Sequence, residues 1–251
     1  MIMMMTPMRT ILFTVLTVPF GTFALLAGAG PAAFAAGTVV DGTVTADGPC
    51  PKPGPVTITK DASVCGTEQP SEAVQVTSDG ALRNVVVWLH PARPTTVEPP
   101  PPPPGRAVID QVGCMYKPHV QAVTVGSELT LVNSDRVLHN VHGDLGAVTV
   151  FNLAMPIKGQ RLSTRLTRPG VVRLQCDAGH TWMNAWIHVF KETTFAVTDE
   201  RGQFTITGVL PGEYTIEYWH EPRDGHGPGI TKSARLVVGG NPVHADAKLK
   251  L

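Results

Sequence analysis

The stretch "QCDAGHTWMNAWIHVF", Gln175 to Phe190, decides how this chain is read. It follows one apparent strand, "VVRLQ", and closes in another, "AWIHV". Between them stand Cys176, His180 and Met183, a thiol, an imidazole and a thioether in a C-x3-H-x2-M run. Soft sulfur and nitrogen donors select copper over calcium, magnesium or manganese, and trigonal copper takes two imidazoles and a thiolate with a weak axial thioether. The loop supplies one imidazole, so the other is expected from elsewhere. In the closing strand, alternation puts Ile187 and Val189 on one face, read as core. Trp186 and His188 fall on the other, with His188 a domain-contact or surface residue.

The search for the second imidazole leads upstream to "NSDRVLHNVHGDLG", Asn133 to Gly146. His139 follows a strand that could lie beside the loop, and His142 stands three residues on. His119, in "KPHV", is a third candidate. A loop histidine is more often solvated than ligating, so none of them convinces alone.

Around these motifs the texture is that of an all-β chain. Its 251 residues include 25 Gly and 23 Pro, and no long amphipathic helical pattern occurs. "LRNVVVWLH" (Leu82–His90) is a strand with a continuous apolar middle, the mark of burial on both faces. Residues 37–92 are read as N-terminal strands and 93–105 as a Pro-rich loop, whose six prolines Pro99 to Pro104 impose polyproline II geometry. Short strands separated by turn residues fill 106–191, as in a Greek-key sandwich, and a meander fills 193–251. Residues 1–35 read as a signal peptide, with Arg9 before the apolar run Ile11 to Ala27 and small residues at Ala33 and Ala35. An uncleaved N-terminal anchor is the alternative. No later segment is apolar enough to span a bilayer, so a periplasmic or secreted protein without a membrane span after signal cleavage is expected. The 20 basic and 20 acidic residues balance, which leaves no electrostatic footprint for nucleic acid or anionic lipid.

"VTVGSELTLVNSDRVLHNV" followed by "PGVVRLQCDAGHTWMNAWIHV" resembles the cupredoxin family of blue copper proteins. The resemblance implies His139 as the upstream ligand, its spacing from Asn133 and Asp135 matching the family pattern, with Cys176 the thiolate, His180 the second imidazole and Met183 the axial ligand. It gives Asn140 the role of bracing the ligand loop. "GCMYKPHV", "FNLAMP" and "FAVTDERGQFTITGVLPGEYTIEYWHEP" resemble periplasmic methylamine-utilisation-type cupredoxins joined to a carboxypeptidase-regulatory-like, prealbumin-like β-sandwich. Residues 37–92 then become part of a discontinuous sandwich with the cupredoxin inserted in it, or else a separate small domain. The three residues Asp177, Ala178 and Gly179 between Cys and His depart from the two found in many relatives. A dinuclear copper site would need a Cys at position 172, where Val172 stands.

Trp182 and Trp186 beside the loop suit either an apolar docking patch or inter-domain packing. Cys65 and Cys114 are expected to form a disulfide; a Cys50–Cys65 bridge is the alternative. The expected function is one-electron transfer through Cu(I)/Cu(II) with a transient redox protein partner. Copper carriage or storage is one alternative, and a carbohydrate- or protein-binding sandwich with a vestigial metal loop is another. No G-x-S-x-G, HExxH or Walker loop occurs and no acid/base pair is evident, so no enzyme is expected.

Overall fold

A computed structural model describes residues 37–50, 53–93, 102–223, 225 and 227–251. The expected signal peptide, 1–35, and positions 94–101 of the Pro-rich loop lie outside the described residues. Strands dominate; among the described residues the one helix is the single turn Ala62–Cys65.

Two sheets enclose the core on which the ligand loop sits. The first is five-stranded, in the order Val148–Met155, His139–Leu145, Gly170–Gln175, Asn184–Phe190 and Val120–Thr124. The second runs Arg161–Leu166, Ser127–Asn133, Arg106–Val112 and Met115–Lys117. Ile109, Leu129 and Leu131 from one sheet and Val141, Leu174, Ile187 and Val189 from the other share a single apolar cluster. Burying a side chain of this size contributes roughly 1.5–3 kcal/mol. Within the five-stranded sheet, Gly143 is the residue that the neighbouring strand requires. A Cβ there would meet the Phe151 ring at 2.4 Å.

A second pair of sheets draws strands from both ends of the chain. Thr38–Ala46 pairs with Gln203–Val209 on one side and with Val243–His244 and Ala247–Leu249 on the other. The other sheet runs Phe195–Val197, Val86–Pro91, Gly212–His220, Ile230–Val238. Val40, Val44, Phe204 and Ile206 meet Val87, Leu89, Ile216 and Tyr218 in the core between them.

A third cluster joins the two pairs of sheets. Val86, Val120, Trp186 and Trp219 are buried there, with Trp88 and Phe190 packed against them. The apolar run around Val86 therefore serves two cores: Val87 and Leu89 face one, and Val86 faces the other. Alternation acts likewise on the closing strand, sending Ile187 and Val189 into the first core and Trp186 into the third cluster.

Candidate metal centre

His139 opens its strand directly after a loop that closes on itself. The Asn133 side-chain amide donates to the carbonyls of Val137 (3.0 Å) and Met155 (2.7 Å), and the Asp135 amide donates to Asn133 Oδ1 (3.0 Å). This fixes Asp135 one turn before His139, where its Oδ2 accepts from His139 Nε2 at 2.9 Å. The same carboxylate accepts the backbone N–H groups of Gly113 (2.9 Å) and Cys114 (2.8 Å). Both residues adopt positive φ, 61° and 57°, so one left-handed turn presents two donors to Asp135. Burial works against the Asp135 charge, but the His139 hydrogen bond and the two backbone donors prevail and hold its pKa below the usual value.

Strand Gly170–Gln175 delivers Cys176, and the chain then turns through residues 177–183. Asn140 braces this turn: its Oδ1 accepts the Asp177 N–H at 3.1 Å, and its amide donates to Asn152 Oδ1. Tyr116 ties the two strands together, its hydroxyl donating to the carbonyls of Asn140 and Gln175. The Met183 amide closes the turn on the His180 carbonyl at 2.9 Å.

The loops bring three ligand-type atoms together. His139 Nδ1 lies 3.1 Å from His180 Nδ1, and Cys176 Sγ lies 3.6 Å from His180 Nδ1. All three atoms fall within 4.8 Å of one another, and all three residues are buried. The outer nitrogens are already engaged, His139 Nε2 with Asp135 and His180 Nε2 with Asp61 Oδ2 at 2.8 Å. A carboxylate on Nε2 fixes the proton there and leaves Nδ1 as the lone-pair atom. Two such lone pairs and a sulfur meeting in a buried space repel one another unless a proton or a cation lies between them.

Titration follows the same geometry. Burial opposes the charge on His139, yet Asp135 and Cys176 beside it push its pKa up to about 9. Burial raises the Cys176 thiol, yet the His139 hydrogen bond and the backbone N–H groups of Asn140 and Ala178 outweigh it, so the thiol is more acidic than usual. Burial lowers His180, and the neighbouring His139 charge adds to this against the pull of Asp61. The metal-free site therefore makes His139 easier to protonate and the Cys176 thiol easier to deprotonate, and a bound cation would take the place of the proton between them. One thiolate and two imidazoles make the soft set that fits copper. A second group, Cys114 with Asp135 and His139, is also close enough to hold an ion, but its sulfur is spent in the disulfide.

The remaining candidates fall in different places. Met183 is buried in the same core as Cys176. His142 points to the opposite side of its strand from His139, where Nδ1 meets Asp177 at 2.7 Å and Nε2 meets Thr149 at 2.9 Å. His119 is buried, with Nε2 on Glu221 Oε1 at 2.5 Å and Nδ1 on the Asn184 carbonyl at 3.1 Å. Cys65 and Cys114 are bonded, leaving Cys50 and Cys176 free. Trp182 is buried edge-on to His180, with ring centroids 5.2 Å apart, and donates to the Cys114 carbonyl at 3.0 Å. Trp186 is buried on Glu221 at 2.9 Å, so packing rather than a docking patch accounts for both indoles. Sequence reasoning missed Asp61 and Tyr116. Asp61 lies 119 residues from the histidine it contacts and carries no local motif, so no signal marked it.

No family model and no curated protein matches the chain. Among solved structures it is similar to "Novel Purple Cupredoxin from Nitrosopumilus maritimus", with 24% identity over 34% of this chain and 99% of that one and a TM-score of 0.30. It is similar to an oxidised amicyanin mutant, with 30% identity over 34% of this chain and 83% of that one and a TM-score of 0.30. It is also similar to a Cu-containing nitrite reductase from Thermus scotoductus, with 22% identity over 41% of this chain and 26% of that one and a TM-score of 0.30. No helix among the described residues is long and apolar enough to cross a membrane.

Proposed function

We propose that this chain is an exported mononuclear copper protein that transfers single electrons. The observation that carries the reading is the convergence of His139 Nδ1, His180 Nδ1 and Cys176 Sγ in a buried space. Met183, on the same loop, would supply a thioether to the ion. Copper, when bound, supplies a one-electron couple between Cu(I) and Cu(II). The chain's own residues bind, orient and exclude water. Asp135 and Asp61 hold the imidazoles in one tautomer, Asn140 fixes the loop entry, and Trp182 walls the His180 ring. In this reading the protein is an electron carrier rather than an enzyme, its partner is a transient redox protein, and its place is the periplasm or outside the cell. The copper half is read as inserted in a discontinuous sandwich of the regulatory-like kind, as the pairing of Thr38–Ala46 with strands beyond residue 200 supports.

Copper carriage without redox turnover is the second reading, favoured by the complete burial of His180. Adding Cu(II) to purified protein separates the two. Electron transfer requires stoichiometric copper and a strong thiolate-to-copper band that ascorbate bleaches reversibly. Tight Cu(I) binding without that band supports carriage, and absence of stoichiometric copper overturns both. A Cys176→Ala protein that still bound and absorbed like the parent would remove the ligand assignment.

A further inference from the structure

We propose that Asp61 is a positioning residue for His180, and that residues 58–69, pinned by the Cys65–Cys114 disulfide, form a cap whose opening sets how fast the metal ion enters and leaves. This rests on the copper reading of the site. The segment approaches the ligand loop at two points. Asp61 Oδ2 accepts from His180 Nε2 at 2.8 Å, and the Lys60 ammonium donates to the Ala178 carbonyl. Between these contacts Gly179 sits at φ +92°, and a Cβ there would lie 3.1 Å from Lys60 Cδ. His180 itself is 0% exposed, whereas the Asp61 side chain is 34% exposed. Asp61 is thus an outer layer over a ligand that is otherwise sealed.

The cap is a closed loop with its own geometry. Val56–Thr57 pairs with Glu68–Gln69, and the Ile58 amide donates to the Thr67 carbonyl at 2.9 Å. Asp61 adopts φ 53°, and its carbonyl accepts the amides of Val64 and Cys65, both at 2.9 Å. The left-handed conformation is one that Asp tolerates better than most residues, and it turns the side chain away from its own helix. Gln69 Nε2 donates to the carbonyls of Cys65 (2.8 Å) and Gly113 (3.1 Å), and so reaches the turn that holds Asp135. The two carboxylates that orient the two imidazoles are therefore anchored on opposite sides of one disulfide: Asp61 four residues before Cys65, and Asp135 on the Cys114 amide. Ile58 and Cys65 are the apolar residues the cap buries in the core, a small area for a segment that must stay shut. Few buried apolar contacts place an element at the low-stability end of the molecule, where local opening is frequent. The disulfide keeps the opened loop tethered beside the site.

The test uses the full mature chain and Cu(II) itself. Asp61→Gly removes the carboxylate while easing the positive φ, and Asp61→Asn keeps an oxygen acceptor and tolerance of that φ. Copper release into excess EDTA is expected to be about 10- to 100-fold faster in the Gly variant, the size of effect that loss of an outer hydrogen-bond partner gives. Release from the Asn variant is expected to stay within about threefold of the parent, as a conservative partner should. In copper-free protein, nitrogen NMR should report the His180 proton on Nε2 in the parent and a mixture of tautomers in Asp61→Gly. A paired Cys65→Ser, Cys114→Ser variant should also release copper faster; should it not fold, the Gly and Asn variants carry the test alone. Parental release and a parental tautomer in Asp61→Gly would overturn the proposal. A parent that binds no copper defeats the copper reading and the exchange function with it, and the tautomer still decides whether Asp61 positions His180.

Discussion

His188 offers a perturbation whose size follows from the fold. It is 3% exposed, with its ring centroid 4.3 Å from Trp219, 5.8 Å from Phe190 and 6.2 Å from Trp88. Among the described residues no hydrogen-bond partner meets its Nε2. Burial alone drives its pKa from 6.5 down to about 3. The neutral ring is thus the form the fold accepts. Its contribution is complete above the unfolded pKa of 6.5 and is lost progressively as pH falls towards 3. Each unit of that interval is worth about 1.4 kcal/mol, so lowering pH from about 7.5 to about 4.5 costs about 3 kcal/mol through this one residue. His188→Leu removes the titrating group, and because Nε2 is unpartnered the substitution is expected to be near neutral at pH 7.5. Urea unfolding of copper-free, disulfide-bonded protein, followed by tryptophan fluorescence, reads this region directly, since Trp88, Trp186 and Trp219 all lie in the same cluster. The parent should lose about 3 kcal/mol more than the variant between the two pH values. Carboxylates titrating in the interval cancel in that difference. Equal losses, within about 0.5 kcal/mol, would refute the assignment of His188 as a buried neutral base without a partner.

Further substitutions probe the centre and the join between the sheets. His142→Ala should leave copper stoichiometry and the visible band unchanged, because both ring nitrogens are turned to Asp177 and Thr149; a lost band would restore His142 as a ligand. Asn140→Ala strips the Asp177 amide of its acceptor, which should cost about 1 kcal/mol of stability and shift the band, both measurable on one sample by thermal melting and absorption. Glu221→Ala leaves buried His119 and the Trp186 indole without their shared partner, and should cost about 3–5 kcal/mol in urea unfolding. A loss under about 1 kcal/mol there would mean that the pair contributes little to joining the sheets.

Patterns confined to one strand or one turn were legible in the sequence. The two faces of "AWIHVF" follow from period-two alternation, and the double burial of "VVVWL" follows from its unbroken apolar run. The convergence of Cys176 with His180 is also local, set by a four-residue step in one turn. His139 was approachable through the resemblance, whose Asn133–Asp135–His139 spacing corresponds in the structure to a loop that closes immediately before it. What stayed hidden depends on contacts that span the chain. The contact of Asp61 with His180, 119 residues apart, is one such, whereas the pairing of Thr38–Ala46 with Gln203–Val209 obeys no local pattern and was expected only through the resemblance, as part of a discontinuous sandwich. Trp182 and Trp186 were ambiguous for a related reason. An indole has the same apolar body in a docking patch as in a core, and only the partner of its N–H separates them.

The histidines show most directly how such partners decide chemistry. Among the described residues five of them, His119, His139, His180, His188 and His220, are almost wholly removed from solvent, and His220 spends its Nδ1 on the Glu221 carbonyl. Desolvation alone would make each a neutral ring. His188 is shifted by burial alone and is driven down accordingly. Burial also weighs on His119, but Glu221 and Glu72 beside it overcome that and raise its pKa; with a carboxylate on Nε2 and a carbonyl on Nδ1, its ring has no nitrogen left to offer. His139 and His180 differ from both in one respect. Each has a carboxylate on Nε2 and turns Nδ1 towards Cys176 and towards the other ring. A carboxylate on one nitrogen raises the basicity of the other, so these two rings are the ones prepared to donate to a cation. The preparation comes from Asp135, four residues away, and from Asp61, 119 residues away. Ligand capacity in this chain is therefore a property of the contact made by the far side of the ring, and counting histidines near a cysteine recovers only half of it.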